Sequence, residues 1–385
     1  MKPLAIYLFI LLFNIFLISC SCTNSKQEKW STSVAQDFIK RVPEPDSISM
    51  IWDKNHFSWQ AGYIMFAMEK IWKSTGDSIY FNYIEKYVDN QVDEEGNVRP
   101  FKNTNLDHFL PGYAILFMYE KTGLEKYKKA ATTIRNGFND YPRNSNGLFW
   151  HGTWATNQSW IDGVFMGQIF LARFGAVIGD SEYAFNEVVK QMILMYKVCG
   201  QDDGLIIHGW DESKKASWAN KETGLAPAVW SEGLGWYAVL IADVFDYLPK
   251  EHPGYEKIKE IHKKLCAGIK KHQDPETGLW CQVVNKCGKP GNWNETSGSC
   301  MFTYLLQKSI NKGYINKKEY QPIVDKAYAG FIKKAVYNDE GFIDLMDCSS
   351  IGIVDSYEAY LNSPKEVSPY GAFASFIIAT NIIEN

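Results

Sequence analysis

Two aspartates occupy positions where paired carboxyl groups could carry out acid–base chemistry. Asp107 lies in the polar segment 105–108, and Asp162 begins an apolar stretch beside Trp160 and Phe165. An ionised carboxylate in such surroundings costs free energy, so burial and a neighbouring Asp107 would both raise the pKa of Asp162. A carboxyl group held protonated suits a general acid. Two carboxyl groups facing a sugar, one of them protonated, are what glycoside hydrolysis typically needs.

Structural roles remain open for several of these side chains. Asp107 could instead cap a helix N-terminus, since Pro111 follows closely. A lone His is more often structural, but His208 stands in a Trp-rich stretch with Trp210 and Trp230, and we predict that it belongs to the site. The 13 Trp and 22 Tyr residues either fill the core or line a cleft, where flat rings can stack on sugar faces.

Other classes of chemistry find no support in the sequence. It contains no HExxH, CxxC, GxGxxG or Walker-type motif, so we expect neither a metal nor an organic cofactor. The 40 basic and 44 acidic residues are well mixed, with a formal net charge of -4, and no basic stripe marks a nucleic-acid partner. The oligomeric state cannot be read from the sequence.

Glycines divide the chain into a coarse repeat of two helices and a turn. One kind of predicted helix is amphipathic and rich in Lys and Glu, with one wet face, at 34–41, 80–91, 125–138, 182–198, 255–272 and 317–337. The other kind is apolar nearly all round, at 61–72, 111–120, 160–177, 233–247, 298–309 and 369–383. Six amphipathic helices and six apolar helices alternate along the chain. This alternation predicts an all-α, (α/α)6 barrel of the six-hairpin type, in which the apolar helices form an inner ring and the amphipathic helices surround it.

An α-solenoid would also alternate, but it would not need aromatic residues and carboxylates before each inner helix. Such segments occur at 56–59, 105–108, 157–163, 230–233 and 292–295, and in a barrel they would share one end of the ring. No linker divides the chain after Trp30, so we predict one domain over residues 31–385.

The N-terminus has the layout of a signal peptide. Lys2 precedes an apolar run over residues 4–18, which is short for a membrane span. Residues 17–20 (LISC) resemble a bacterial lipobox, which implies a signal peptide at 1–19, a lipid on Cys20 and a flexible tether over 20–30. An uncleaved anchor or an ordinary signal peptide is the alternative. Ser21 follows the cysteine, and this resembles the rule that sorts lipoproteins to the outer membrane. We therefore expect the protein to face the periplasm or the cell surface and to contact the membrane only through its lipid anchor.

The remaining cysteines match no zinc pattern. Cys281 and Cys287 could pair across a turn, but the sequence favours buried free thiols.

Several motifs together resemble glycoside hydrolase family 105. They are WIDGVFM at 160–166, HGWDES at 208–213, WANKETGLAP at 218–227, WSEGLGW at 230–236, GLWCQV at 278–283 and ETSGS at 295–299. The likeness runs in order along the chain from about residue 52 to 379. The resemblance implies the (α/α)6 fold and an unusual hydrolysis of lyase products, which carry a 4,5-unsaturated uronic acid at the non-reducing end.

By this resemblance, Asp162 gives a proton to C4 of the unsaturated sugar and then deprotonates the water that attacks C5. The resulting hemiketal opens and expels the rest of the oligosaccharide. Asp107 is expected beside it as the second catalytic carboxyl group. The expected substrate contacts are His208, Trp230, Trp236, Trp210, Trp160, Glu232 and His151.

Two departures from the family pattern concern cations. Rhamnogalacturonyl members carry a Lys where Gly152 follows His151, and an Arg where this chain has Glu232. A cation lost at each position changes the field on an anionic sugar, which weakens rhamnogalacturonan as the substrate and leaves a glucuronyl type open. Two other functions also stay open at this point: a barrel hydrolase of saturated glycosides, and a non-catalytic glycan-binding lipoprotein.

Overall fold

The computed structural model describes residues 29–48, 57–98, 101–350 and 352–385. The predicted lipid site at Cys20 and the residue His56 of one predicted site segment lie outside these ranges. Within them the chain forms thirteen α-helices: α1 (Trp30–Arg41), α2 (Trp59–Thr75), α3 (Ser78–Gln91), α4 (Gly112–Thr122), α5 (Glu125–Asn136), α6 (Ile161–Val177), α7 (Ser181–Cys199), α8 (Ser231–Asp243), α9 (Tyr255–Lys271), α10 (Thr296–Asn311), α11 (Lys317–Ile332), α12 (Tyr357–Asn362) and α13 (Tyr370–Glu384).

Six of these helices form a closed inner ring. In order they are α2, α4, α6, α8, α10 and α13; each packs against the next, and α13 returns to pack against α2. Their residues are buried almost all round, as expected for helices that are apolar on every side. Because the ring closes, the structure is the predicted (α/α)6 barrel, and the solenoid alternative is wrong.

The outer helices each cover one inner helix and keep one face in solvent. They are α1, α3, α5, α7, α9 and α11, packed on α13, α2, α4, α6, α8 and α10 respectively. In α9 the buried side chains Ile258, Ile261, Leu265 and Ile269 recur every three or four residues, which places them on one face. The alternation of amphipathic and apolar helices predicted from the sequence is therefore confirmed.

The first helix begins earlier than the sequence predicts. It starts at Trp30 and not at Val34, and so includes the last residue of the predicted tether. The reason is a contact between α1 and the last helix, α13. The carboxylate of Glu384 in α13 accepts hydrogen bonds from the backbone N–H groups of Trp30 (3.1 Å) and Ser31 (3.0 Å). These two donors would otherwise have no partner within the helix.

Short two-stranded ribbons organise the end of the ring where the inner helices begin. The eight strands are β1 (Gln158–Trp160), β2 (Gly209–Asp211), β3 (Trp280–Cys281), β4 (Asn294–Glu295), β5 (Ala335–Tyr337), β6 (Ile343–Leu345), β7 (Cys348–Ser349) and β8 (Lys365–Glu366). They pair antiparallel in that order, β1 with β2 and so on. β1 leads directly into α6, and its pairing with β2 places His208 beside the start of that helix, where Ile161 N–H donates to the His208 carbonyl at 2.9 Å.

Buried ion pairs tie the inner helices together at the opposite end. Arg173 of α6 donates to Glu69 of α2 at 2.6 Å and also pairs with Glu120. Asp243 of α8 pairs with both Lys70 and Lys308. Buried charges of this kind are tolerated because each one has an opposite partner, and removing one partner would leave the other unpaired. The two ends of the ring therefore differ. Buried ion pairs hold the helices together at one end, and the end where the inner helices begin is open.

One prediction about the cysteines is wrong. Cys281 and Cys287 form a disulfide, with their Cα atoms 5.5 Å apart. β3 and a short turn bring the two residues to bonding distance. A sequence separation of six residues does not by itself predict this distance. Four other cysteines, Cys199, Cys266, Cys300 and Cys348, are free and buried. No helix in the described part of the chain has both the length and the apolarity required to cross a membrane.

Candidate active site

A large cavity opens at the ribbon end of the ring. Its volume is about 750 Å³. Its walls come from the beginnings of α2, α6, α8 and α13 and from the loops before them. The described lining residues are Trp59, Gln60, Asn105, Asp107, His151, Trp154, Trp160, Asp162, Met166, Trp230, Glu232, Trp236, Ser349, Gly352, Ile353, Glu366, Ser368, Pro369, Tyr370 and Gly371. Four of the five predicted segments, 56–59, 105–108, 157–163 and 230–233, contribute lining residues to this cavity, whereas 292–295 contributes none.

Asp162 lies in the first turn of α6, at the cavity wall. Its Oδ1 atom is 3.6 Å from Nε2 of His208, slightly longer than a hydrogen bond, and both atoms lack a closer polar partner in the protein. Burial raises the pKa of the Asp162 carboxyl, but the imidazoles of His151 and His208 lower it by more, so that it ends below its ordinary value. The start of a helix favours the ionised form in the same direction.

Asp107 faces the same cavity from a short 3-10 turn, Leu106–His108, ahead of α4. Asn105 fixes it, because the Asn105 amide donates to Oδ2 of Asp107 at 3.1 Å and its oxygen accepts the Asp107 backbone N–H at 3.1 Å. Asp107 does not cap α4, whose N-cap residue is Pro111. Burial raises the pKa of the Asp107 carboxyl above its ordinary value; His151 opposes this and Asp162 adds to it.

The structure therefore reverses one electrostatic prediction. We expected Asp107 to raise the pKa of Asp162, but the raised pKa belongs to Asp107 and the lowered one to Asp162. The physical reason is that Asp162 sits between two imidazoles at a helix start, a set of neighbours that the sequence does not show. Asp107 therefore has the stronger tendency to be protonated, and Asp162 the stronger tendency to ionise.

His151 connects the two carboxyl groups. Its Nε2 atom is 3.7 Å from Oδ1 of Asp107, and the same imidazole lowers the pKa of the Asp162 carboxyl. The ring stacks on Trp160 with centroids 4.4 Å apart, which fixes its orientation. It reaches α6 so closely because residue 163 is Gly: a Cβ atom there would come within 2.8 Å of His151 Nδ1. The sequence motif around Asp162 therefore includes the glycine that lets the imidazole approach.

His208 belongs to the site but does not line the cavity. It is completely buried behind Asp162, and its Nδ1 atom is 2.7 Å from the hydroxyl of Tyr360 in α12. Its ring also packs on Trp230 with centroids 4.6 Å apart. We predicted a substrate contact for His208, but the structure places it one layer back, where its imidazole lowers the pKa of Asp162.

Aromatic rings form much of the cavity wall. Trp230 donates its indole N–H to Ser349 at 3.0 Å, and Trp236 packs edge-on against Trp59 (5.4 Å) and Tyr63 (4.5 Å). The predicted wall residues Trp160, Trp230 and Trp236 are thus all in place. Trp210 is not: it lies on β2, and its indole N–H donates to the Thr223 carbonyl at 3.1 Å, away from the cavity.

Glu232 lines the cavity at the start of α8 and has no hydrogen-bond or ion-pair partner among the described residues. Burial raises its pKa well above the ordinary value of 4.5, and the carboxyl groups of Glu295 and Glu366 add to the effect. Burial therefore favours the neutral form of Glu232. Among the described lining residues there is no Lys or Arg.

Several cavity residues were not predicted from the sequence. Trp154, Glu366 and Tyr370 line the wall, and Tyr360 holds His208 from behind. The last three follow residue 350, beyond the last predicted site segment, and lie on β8, α13 and α12 respectively. Trp154 lies in a loop with no helical pattern to place it.

An (α/α)6 barrel with two carboxyl groups in an aromatic-walled cavity at the entrance of its inner ring is the arrangement of a glycosidase. The chain matches the model of Glycosyl Hydrolase Family 88 over residues 30–384, and it belongs to that family. It is similar to a solved family 105 glycoside hydrolase of C. acetobutylicum, with 27% identity, a TM-score of 0.85, and coverage of 93% of this chain and 99% of that one. The predicted resemblance to family 105 is confirmed.

Curated relatives agree with this assignment. The chain is 22% identical over 366 residues to the unsaturated rhamnogalacturonyl hydrolase YesR of Bacillus subtilis, covering 93% of this chain and 96% of that protein. It is 34% identical over 154 residues to Protein Atu3128 of Agrobacterium fabrum. That alignment covers 40% of this chain and 65% of the relative, so the chain spans just under two thirds of the relative's length.

Proposed function

We propose that the protein removes a 4,5-unsaturated uronic acid, of galacturonyl or glucuronyl type, from the non-reducing end of oligosaccharides that polysaccharide lyases release. The observation that carries the proposal is the pair Asp107 and Asp162, linked through His151 in one aromatic cavity. The name of the relative YesR supports the same reaction class.

In the proposed reaction, a carboxylic acid protonates C4 of the double bond and positive charge develops at C5 and the ring oxygen. Water adds to C5 and loses a proton to the carboxylate just formed. The hemiketal then opens, and the glycosidic bond to the rest of the oligosaccharide breaks. We assign the proton transfers to Asp162. Because its pKa is low in the ligand-free protein, this assignment requires that the substrate carboxylate, an added negative charge, raise the pKa of Asp162 on binding.

The test uses the ultraviolet absorbance of the unsaturated sugar, which disappears on hydration. We expect the absorbance to fall when the protein acts on a panel of lyase-generated oligosaccharides, together with release of a shortened sugar. Cleavage of saturated glycosides without that loss would instead indicate the alternative hydrolase. Binding without any turnover would indicate a glycan-binding lipoprotein.

Glu232 is expected to shape substrate preference. Glu232→Arg restores a cation where family relatives carry one, so we expect the order of preference among unsaturated disaccharides to change by about 10-fold or more in relative kcat/KM, with the fold retained. Equal relative rates before and after the change would place Glu232 outside the recognition surface.

Glu232→Gln is the matched comparison, because it keeps the size of the side chain and its neutral state. It should keep the wild-type order of preference. A raised pKa in the folded state means that the wild-type protein loses stability as pH rises from 4.5 through the folded-state pKa, since only the unfolded chain ionises freely there. Thermal unfolding across pH should therefore show Glu232→Gln gaining stability over the wild type toward higher pH. Parallel pH curves would contradict the neutral state of Glu232.

We also propose that the protein is an exported bacterial lipoprotein of the outer membrane, anchored through Cys20. The support is the basic start, the apolar run and the LISC segment at 17–20. Cys20→Ala should release a soluble or unprocessed form and abolish lipid labelling, as measured by membrane fractionation. Unchanged fractionation and labelling would refute the anchor.

A further inference from the structure

An exposed indole stands at the mouth of the cavity. Trp154 is 60% exposed, although it lines the same cavity as Asp107 and Asp162. Large exposed aromatic rings are costly to leave in water and commonly mark a binding surface. The ring is held in place: its plane is nearly perpendicular to those of Trp160 (5.2 Å) and His151 (5.7 Å). Among the described residues no ring stacks flat on Trp154.

The position of this indole depends on Gly152. A Cβ atom on residue 152 would come within 2.5 Å of the Trp154 indole nitrogen, so any other residue would push the ring away. Gly152 follows His151, at the position where the sequence departs from the Lys of rhamnogalacturonyl relatives. The departure therefore does more than remove a cation: it makes room for an aromatic platform beside the catalytic pair.

We propose that Trp154 forms the subsite for the leaving sugar, the residue next to the unsaturated uronate, and that this sugar is uncharged. The inference rests on the proposed function. Its ring would stack on the free indole face, in continuity with the cavity that holds Asp162, while apolar Ile353, which is 59% exposed, lines the same cavity.

The lack of a permanent cation favours an uncharged leaving sugar. The described lining residues include the carboxyl groups of Asp107, Asp162, Glu232 and Glu366, the imidazole of His151, and no Lys or Arg. A second uronate or a sulfated sugar at the mouth would therefore find no permanently charged partner in the described lining, whereas a neutral ring needs no counter-charge. The preferred substrate is thus an oligosaccharide in which the unsaturated uronate is linked to a neutral sugar.

A neighbouring hollow offers a competing place for the leaving sugar. It has a volume of about 320 Å³, shares Trp230 and Ile353 with the main cavity, and is lined by polar residues that include Asn362. It lacks an exposed aromatic face among its described lining residues, and it contains Asp355. We therefore place the leaving sugar on Trp154, and the experiment compares the two places directly.

The test measures KM and kcat on three unsaturated uronides: a methyl glycoside with no second ring, a disaccharide with a neutral second sugar, and a disaccharide with a second uronate. The wild type should prefer the neutral disaccharide. Trp154→Ala should raise KM about 10-fold for that substrate, with little change in kcat and none for the methyl glycoside. Gly152→Ala, which displaces the indole without removing it, should act in the same direction.

Tyr337→Ala is the matched control, because Tyr337 is 65% exposed and lies on β5, outside the cavity lining. It should leave all three substrates unaffected. An unchanged KM in Trp154→Ala, an equal rise for the methyl glycoside, a rise caused by Asn362→Ala instead, or a wild-type preference for the second uronate would each overturn the subsite. Wild-type failure to consume even the methyl glycoside would overturn the proposed function itself, so the two failures are distinct.

Discussion

Asp162→Asn is expected to slow hydration of the unsaturated uronide by at least about 10²–10⁴-fold, the range that general acid catalysis contributes. The amide keeps the size of the side chain but removes the transferable proton, and we assign both proton transfers to this one group. The loss should appear in kcat, because the interaction is made in the transition state and not in substrate binding.

Folding should survive this change. The Asp162 carboxylate has no hydrogen bond at Oδ1, and an amide is easier to bury than a charge. Asp37→Asn is a suitable control: Asp37 is buried in α1, pairs with Arg41 at 2.9 Å and lies outside the cavity. It should lower the unfolding temperature slightly and leave the rate near that of the wild type. The measurement is the decay of the unsaturated-sugar absorbance, with thermal unfolding recorded for both variants.

Asp107→Asn is expected to slow the enzyme by about 10²-fold at neutral pH, for a different reason. It removes a carboxyl group whose ionised form would oppose ionisation of Asp162. The pKa of Asp162, already below its ordinary value, should fall further. The protonated form of Asp162 then exists only at lower pH, so the pH optimum of kcat/KM should move down by about one unit or more.

The pH profiles of the two variants decide the roles of the carboxyl groups. If Asp162→Asn keeps near-normal rates while Asp107→Asn is inactive at every pH, Asp107 is the acid and our assignment is wrong. The raised pKa of Asp107 makes this a real alternative, because it favours the protonated form of that group. A reduced but shifted profile for Asp107→Asn, together with an inactive Asp162→Asn, supports the assignment proposed above.

The architecture and several site residues could be predicted from the sequence. Helices that are apolar all round must be covered on every side, and helices with one solvent-facing side must lie outside them, so the alternation along the chain predicted two layers. The aromatic residues and carboxylates before the inner helices then favoured a closed barrel over a solenoid. Asp107 and Asp162 could be identified because burying a carboxyl group at the start of an apolar helix costs free energy, which indicates a functional role. Trp160, Trp230 and Trp236 followed from the same segments.

Only the tertiary structure decided how these residues act on one another. The order of the two pKa values depends on His151 and His208 facing Asp162 together, and β1–β2 pairing creates that neighbourhood across about 50 residues of chain. Tyr360 behind His208, Glu384 at the start of α1 and the Cys281–Cys287 bond likewise depend on distances in space. Trp154 lies in a loop, so no helical periodicity predicts its position. Its indole fits beside the cavity because Gly152 has no side chain to displace it. Periodicity encodes which face of a helix is buried, whereas contacts between loops are set by the closure of the ring.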